Sequence, residues 1–147
     1  RKRAAVGSRA LPPSMRDRVP FLLYRASQIS QSLANEMLAE MALSARQVGI
    51  LTMVTELEPM TQKTLADALR IDRTTLEDKG YVVRQRHPGD RRAFLVQPTD
   101  SGRAAKVAAV RILDEQQRRF LAPLTLDERA QLSALLTRLN RQPDPAH

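Results

Sequence analysis

Residues 80–102, with the sequence GYVVRQRHPGDRRAFLVQPTDSG, decide the fold of this 147-residue chain. Residues 81–86 and 93–97 are rich in β-forming side chains, and the tetrapeptide HPGD at 87–90 separates them. Proline followed by glycine at the two central positions favours a type II turn, so the stretch predicts a β-hairpin. Gly80 follows three charged residues at the end of a helical pattern, and we expect it in the left-handed conformation that ends a helix.

The hairpin is strongly basic, because Arg84, Arg86, Arg91 and Arg92 surround a single acidic residue, Asp90. The whole chain has a formal net charge of +8 and a pI near 10.9. A second basic group lies in residues 1–20, which hold six basic side chains and one acidic one. This charge favours a polyanionic partner, with nucleic acid ahead of a membrane surface, although a solvated charged face is the alternative. Three Phe and two Tyr are too few for a stacking platform, which favours duplex over single-stranded nucleic acid.

Two short helices are predicted immediately before the hairpin. Thr61 caps the first, whose inward side chains would be Leu65, Ala68 and Leu69. A turn at Arg70-Ile71 leads to the second, which Asp72 caps and which ends at Lys79. Two short helices joined by a tight turn and followed by a basic hairpin describe a winged helix-turn-helix.

In such a module the start of the second helix meets base edges in the major groove, and the hairpin lies along the neighbouring backbone and minor groove. The first helix can place its N-terminal N–H groups on a phosphate, although capping alone would explain Thr61. The candidate DNA-contacting residues are Thr61, Gln62, Lys63, Asp72, Arg73, Thr74, Thr75, Arg84, Arg86, Asp90, Arg91 and Arg92.

Long helices flank this module on both sides. The first begins near Ser14 and repeats apolar residues on one face (Leu22, Ala26, Ile29, Leu33 and Met37), with Pro20 either kinking it or marking its true start. Ser44 and Gln47 form a capping box for a buried helix, and Thr99 with Ser101 begins a long helix whose expected apolar side is Val107, Val110, Leu113, Phe120 and Leu124. Thr125 and Glu128 form a second capping box. The terminal helices have uncovered apolar stripes, which predicts a two-fold partner, with an intramolecular bundle as the alternative.

Composition excludes several classes of function. The 42% hydrophobic content supports one packed domain, and the absence of cysteine from these residues excludes disulfides, thiol catalysis and cysteine-bound zinc. No apolar run approaches the ~18 residues of a membrane span and nothing reads as a secretory signal, so we expect a cytoplasmic protein. No catalytic set, phosphate-cradling glycine loop or metal spacing is present, and His87 stands in a polar turn, so no enzyme activity, metal or cofactor is predicted.

From Ser14 to Arg141 the chain resembles the MarR-type transcriptional regulators. The resemblance rests on the wing stretch 80–102, on Ser44 and Gln47 followed by Leu51, and on residues 62–69. An Asp-x-Arg motif of the family falls on Asp90 and Arg92, which implies that Arg92 reaches the minor groove while Asp90 holds the basic side chains of the wing in place. The chain departs from the family pattern by lacking about seven residues between Thr75 and Leu76. A second helix of only about two turns, ~12 Å long, would not fill the major groove.

The resemblance implies a single domain with three functional parts. Residues 14–43 and 104–141 would be dimerisation helices and residues 44–103 the winged helix-turn-helix, between a flexible basic arm (1–13) and a tail (142–147). It further implies a small aromatic or anionic effector bound between the dimer helices and the winged module. Tyr24 and Arg25 could contribute to that site, although packing explains Tyr24 equally well.

The sequence therefore predicts a mainly α fold with a small β-hairpin wing and N- and C-terminal dimerisation helices. The sequence predicts a homodimeric transcriptional regulator that binds double-stranded DNA with sequence specificity. It would act as a repressor bound to a pseudo-palindromic operator, and a small molecule would release the repressor from that DNA. A basic architectural or RNA-associated protein without sequence preference, on the same scaffold, is the runner-up. An enzyme is a distant third.

Overall fold

A computed structural model describes residues 12–57, 60–61 and 70–143 of the chain. The helices are α1 (Pro13–Arg16), α2 (Val19–Leu38), α3 (Ala45–Glu56), α4 (Arg70–Asp78), α5 (Asp100–Phe120) and α6 (Leu126–Leu139), with a 3-10 turn at Ala39–Met41. The strands are β1 (Met60–Thr61), β2 (Val82–His87) and β3 (Asp90–Pro98). This mainly helical architecture with a β-hairpin confirms the predicted fold class.

The hairpin is part of a three-stranded antiparallel sheet with the order β1-β3-β2. The two residues of β1 pair with Val96 and Leu95 of β3 and were not foreseen, because a strand of two residues has no readable alternation. Leu38, Leu51, Leu76, Val82 and Val96 are fully buried and belong to one cluster. The hydrophobic core therefore joins the end of α2, helices α3 and α4, and the base of the hairpin.

The helix starts predicted at Ser44, Thr99 and Thr125 are confirmed. Ser44 accepts a hydrogen bond from the N–H of Gln47 at 3.1 Å and the Gln47 side chain accepts one from the N–H of Ser44, which completes the capping box of α3. Thr125 and Glu128 form the same arrangement at α6. Pro20 lies in the first turn of α2, so it marks the start of that helix.

Gly80 has a φ of +73° and ends α4, as predicted. The N–H of Gly80 donates to the carbonyl of Glu77, and the N–H of Tyr81 donates to the carbonyl of Leu76, both at 2.9 Å. These two bonds are the Schellman motif, and they satisfy carbonyls that the end of a helix would otherwise leave unpaired.

In one protomer the long helices bury mainly residues outside the apolar stripes named from the sequence, and parts of those stripes stay exposed, as expected of uncovered stripes. α2 buries Ala34 and Leu38, whereas Leu22 and Ile29 are exposed. α5 buries Gly102, Ala105, Ala109 and Gln116 rather than its larger side chains, and Val107 is half exposed. Most of the residues that these two helices bury are small, which favours close approach, whereas Leu22, Ile29 and Val107 are exposed in one protomer.

Two local predictions are wrong. Arg70 and Ile71 are helical residues of α4 rather than a turn, and Asp72 lies inside its first turn rather than at its cap. The turn at Pro88-Gly89 is not type II, because Gly89 does not have the positive φ that this type requires at its third position. The helix predicted at residues 61–69 lies outside the described residues, apart from Thr61, which is in β1.

Within the described residues, no single helix is long and apolar enough to span a membrane. The pair Val19–Met41 and Ala45–Glu56, bent by 74° at its break, meets that criterion of length and composition only when the two segments are taken together.

Candidate nucleic-acid interface

The β2–β3 hairpin, residues 82–98, is called the wing below. Its register pairs Arg84 with Val96 and Arg86 with Phe94, and then shifts so that His87 pairs with Asp90. Arg91 and Arg92 therefore lie in an irregular stretch of β3 at the tip. Such an irregularity bends a strand and increases its twist. The candidate wing residues Arg84, Arg86, Asp90, Arg91 and Arg92 are all exposed. The structure therefore brings together all the wing residues that the sequence predicted.

Two side-chain bonds fix the backbone of the wing tip. The Asp90 carboxylate (Oδ1) accepts the N–H of Arg92 at 2.9 Å, and Nδ1 of His87 accepts the N–H of Gly89 at the same distance. Short polar side chains that accept an N–H two residues further on stabilise turns in this way. Asp90 thus holds the main chain that carries Arg92, whereas its implied hold on the basic side chains of the wing stays a prediction.

One aromatic residue of the wing was missed in the sequence. The guanidinium carbon (Cζ) of Arg84 lies over the ring of Phe94, 4.8 Å from its centre. Alternation along β3 could have placed Phe94 on the same face as Arg84 and Arg86, because side chains directly opposite in the register share a face. Contact between the guanidinium and the ring depends on rotamers, which the sequence does not give.

The start of α4 is tied to the start of α3. The Asp72 carboxylate forms an ion pair with Arg46, with Oδ2 3.0 Å from Nε of the arginine. Its Oδ1 accepts a hydrogen bond from the side-chain amide of Gln47 at 3.4 Å. The carboxylate of Asp72 is therefore engaged within the protein and orients α4 against α3. This geometry does not favour direct contact between Asp72 and DNA.

Arg73 does not lie where a base contact would need it, since only 6% of the residue is exposed. Leu76, three residues further on, is fully buried, and positions three apart share one face of a helix, so Arg73 is turned inward with it. Its Nε is 3.9 Å from a carboxylate oxygen of Glu77. Nε and Nη1 of Arg73 are buried and have no hydrogen-bond partner within the part of the chain that the structure describes.

The remaining predicted site residues are dispersed. Thr74 is exposed and Thr75 half-buried on α4, so solvent can reach both residues. Thr61 lies in β1, and Gln62 and Lys63 are outside the described residues.

The residues proposed from the sequence for an effector site lie on the surface of α2. Tyr24 is 62% exposed, and Arg25 is also exposed. In residues 12–57, 60–61 and 70–143, no three His, Cys, Asp or Glu side chains lie close enough together to hold a metal ion.

A close-packed joint fixes the wing to α5. The carbonyl of Tyr81, just before β2, accepts the N–H of Thr99, and the Thr99 hydroxyl donates to the carbonyl of Gly80 at 2.6 Å. The same hydroxyl accepts the N–H of Gly102, which caps α5. A Cβ on Gly102 would lie 1.9 Å from the Tyr81 carbonyl oxygen, so only glycine permits this approach. The position of the wing is thereby set relative to a long helix.

Among the candidate DNA-contacting residues that the structure describes, the exposed positive charges lie on the wing. Its four exposed guanidinium groups can donate several N–H groups each to phosphate oxygens, and an arginine at the tip suits the narrow, strongly negative minor groove. On α4 the exposed Thr74 and the half-buried Thr75 carry hydroxyls that can bond bases or phosphates. This arrangement suits phosphate contacts that position a protein on duplex DNA, with limited base contact beside them.

Comparison with known proteins agrees with this geometry. The sequence profile of the MarR family matches residues 43–94. A putative transcriptional regulatory protein for the hcr operon of Thauera aromatica is 34% identical over 101 residues, which cover 64% of this chain and 61% of that protein. The chain therefore aligns with somewhat under two thirds of that relative's length.

Two solved structures extend the likeness over the fold. A probable transcriptional regulator from Pseudomonas aeruginosa has a TM-score of 0.76 and 30% identity, covering 84% of this chain and 97% of that one. A mutant MarR from E. coli, solved in complex with operator DNA, has a TM-score of 0.73 and 28% identity, covering 82% and 94%. Both likenesses extend well beyond the profile match at residues 43–94.

Proposed function

We propose that this chain, which belongs to the MarR family of transcriptional regulators, is a homodimeric repressor that occupies a pseudo-palindromic operator in the cytoplasm and leaves it when a small molecule binds. The observation that carries the proposal is the wing, with four exposed arginines on a hairpin whose tip Asp90 and His87 fix. Most of the affinity comes from phosphate contacts of the wing, and Thr74 and Thr75 contribute to sequence preference.

A two-fold dimer is supported by the apolar surface that one protomer leaves uncovered. All residues of α6 are described and none is buried, and Leu126 is 79% exposed. Val19 and Leu23 of α2 and four leucines of α6 line an open groove of about 510 Å³. A second copy that fills this groove also sets two wings about one helical turn, ~34 Å, apart on a pseudo-palindromic site.

Release by an effector is supported by the family to which the chain belongs. An aromatic or anionic ligand between the dimer helices and the winged module acts by preferring one separation of the two DNA-binding modules, because equal affinity for both would shift nothing. Tyr24 offers a hydroxyl and Arg25 a positive charge, and both are open to solvent on α2. The 147 residues hold no cysteine, so the signal is a ligand rather than the oxidation of a thiol in these residues.

Gel shifts over a salt series test sequence-specific binding. The probe is duplex DNA from upstream of the protein's own gene, with scrambled duplex as competitor. We expect a preference of ~10³-fold or more for the upstream DNA and a steep loss of affinity as salt rises. Equal binding to the scrambled duplex would instead identify the architectural protein without sequence preference.

The wing is tested by matched arginine substitutions. Arg92→Ala is expected to weaken DNA binding and to leave the dimer intact, because Arg92 is exposed at the tip of the wing. Arg111→Ala removes an equal charge from the exposed surface of α5 and serves as the control. Equal affinity of the Arg92 and Arg111 variants would remove the wing from the mechanism.

The dimer is tested on the two faces of α6. Leu135 is half exposed in the protomer and lines the groove, so Leu135→Arg is expected to yield monomers in light scattering and to weaken DNA binding. Ala130→Arg, which lies on the opposite side of the helix at 100° per residue, is the control. A Leu135→Arg protein that stays dimeric would show that this groove is not the interface.

A further inference from the structure

The hydrophobic core of the described residues does not explain the position of the Phe94 ring. It is half-buried in β3, but it is not among the residues that form or pack against the hydrophobic core of the described chain. Val96, two residues nearer the base of the wing on the same face, is fully buried in that core. Among the described residues, core packing therefore accounts for Val96 and does not account for an aromatic ring at position 94.

What the ring contacts is a candidate DNA-binding side chain. Phe94 is directly opposite Arg86 and diagonal to Arg84 in the antiparallel register, so all three share one face of the wing. The guanidinium of Arg84 lies over the ring with its Cζ 4.8 Å from the centre. This separation is within the range of a cation–π contact.

Stacking on a ring orders an arginine without occupying its hydrogen-bonding groups. The N–H groups of a guanidinium lie in its plane and point outwards, so a stacked Arg84 can still donate to phosphate oxygens. A cation–π contact at an exposed site favours the stacked arrangement by about two- to fivefold. Ordering Arg84 before DNA arrives reduces the entropy that binding must otherwise remove from a long, flexible side chain.

We infer that Phe94 is a positioning residue for DNA binding, which holds Arg84 on its ring so that the guanidinium meets a backbone phosphate already oriented. The inference rests on the proposed binding of duplex DNA. It adds a residue that does not itself touch DNA. The arginine that Phe94 positions lies on the face of the wing shared with Arg86 and Val96, away from the tip.

The test compares four proteins with the wild type: Phe94→Leu, Phe94→Tyr, Arg84→Ala and the double variant Phe94→Leu with Arg84→Ala. Leucine keeps a large apolar side chain at the half-buried position, and tyrosine keeps the ring. The probe is a labelled duplex of scrambled sequence about 30 base pairs long, because a phosphate contact needs no operator and this length accommodates two half-sites. Fluorescence anisotropy gives the affinity over a series of salt concentrations.

Phe94→Leu is expected to bind about two- to fivefold more weakly for each wing on the DNA, with an unchanged salt slope because the charge of Arg84 remains. Arg84→Ala should lower the slope of log K against log salt by about 0.9 for each lost phosphate contact. The double variant should bind like Arg84→Ala alone, and Phe94→Tyr should restore the affinity lost in Phe94→Leu. A purely structural role of Phe94 predicts instead that the two losses add.

NMR of the free protein separates this inference from the proposed function. The side-chain protons of Arg84 are expected to be shifted upfield by the ring in the wild type and in Phe94→Tyr, and not in Phe94→Leu. Wild-type affinity in Phe94→Leu, or additive losses in the double variant, would overturn the positioning role while leaving duplex binding in place. Failure of the wild type to bind any duplex at low salt would overturn the proposed function and this inference with it.

Discussion

Replacing Gly102 by alanine is predicted to destabilise the protein strongly, although alanine is the better helix former. Gly102 is the third residue of α5, and the backbone of Tyr81 passes directly against it. A Cβ at this position would lie 1.9 Å from the carbonyl oxygen, 2.8 Å from the carbonyl carbon and 3.1 Å from the Cα of Tyr81. These are backbone atoms, so no side-chain rotation can relieve the overlap, and the start of α5 must move away.

The size of the effect follows from what that movement breaks. Overpacking of a tight contact costs about 1–3 kcal/mol. The displacement also loosens the cap from Thr99 to Gly102 and the bond from Thr99 to Tyr81, each worth about 1 kcal/mol. Alanine returns about 1 kcal/mol through its helix propensity. The expected net loss is about 2–4 kcal/mol, or roughly 5–15 °C in Tm for a chain of this length.

Gly49 provides a matched control in α3. It is exposed, and a Cβ there would meet no atom within 4 Å among the described residues. Gly49→Ala should therefore stabilise the protein by up to about 1 kcal/mol. Urea unfolding followed by far-ultraviolet circular dichroism gives both values, at one fixed protomer concentration because association contributes to apparent stability.

The two glycines are expected to respond with opposite signs. A Gly102→Ala protein as stable as the wild type, beside a Gly49→Ala protein of raised stability, would refute the close approach of α5 to Tyr81. The contact between Gly102 and Tyr81 positions the wing relative to α5. Gly102→Ala should therefore weaken duplex binding by more than the decrease in the folded fraction of the variant explains.

Two further changes test the helix termini and the charged surface. Ser44→Ala removes the capping box of α3 and should cost about 1 kcal/mol in urea unfolding, whereas Ser133→Ala, exposed inside α6, should be neutral or slightly stabilising. On α5, a side-chain hydrogen bond from Arg118 and a second one from Arg119 hold the pKa of Glu115 below its ordinary value. A lowered carboxyl pKa stabilises the fold at neutral pH, and this contribution is lost as the pH falls through the lowered pKa. The stability difference between wild type and Glu115→Gln should accordingly shrink in acid, and a difference that grows there would contradict the ion pair.

The parts of the fold that could be predicted depend on neighbours in the sequence. Capping boxes at Ser44 and Thr125 and the left-handed glycine at Gly80 involve residues only a few positions apart, and the hairpin around Pro88-Gly89 joins two strands that are adjacent in the sequence. The type of the turn was missed because the imidazole of His87, rather than a positive φ at Gly89, fixes its backbone. Strand β1 was missed because two residues carry no pattern and pair with a strand more than thirty positions away.

The candidate site was predictable on the wing and less so on the helix. Exposed arginines on a two-stranded hairpin follow from the sequence, since charged side chains are seldom buried. Asp72 and Arg73 look equally available in the sequence, but the first is engaged by Arg46 and the second is turned inward beside Leu76. The contact between Phe94 and Arg84 was not predicted, because an aromatic residue in a strand ordinarily serves packing.

The sequence by itself determined the winged helix-turn-helix and the concentration of positive charge on the wing, because local propensity and charge need no distant partner. Only the tertiary structure decided which side chains are free to meet DNA. Burial of Arg73, the tie between Asp72 and α3, the stacking of Arg84 on Phe94 and the close passage of Tyr81 over Gly102 all depend on how separate elements pack. The physical reason is that exposure and contact are properties of packed surfaces, whereas a residue's place in the sequence fixes only its neighbours along the chain.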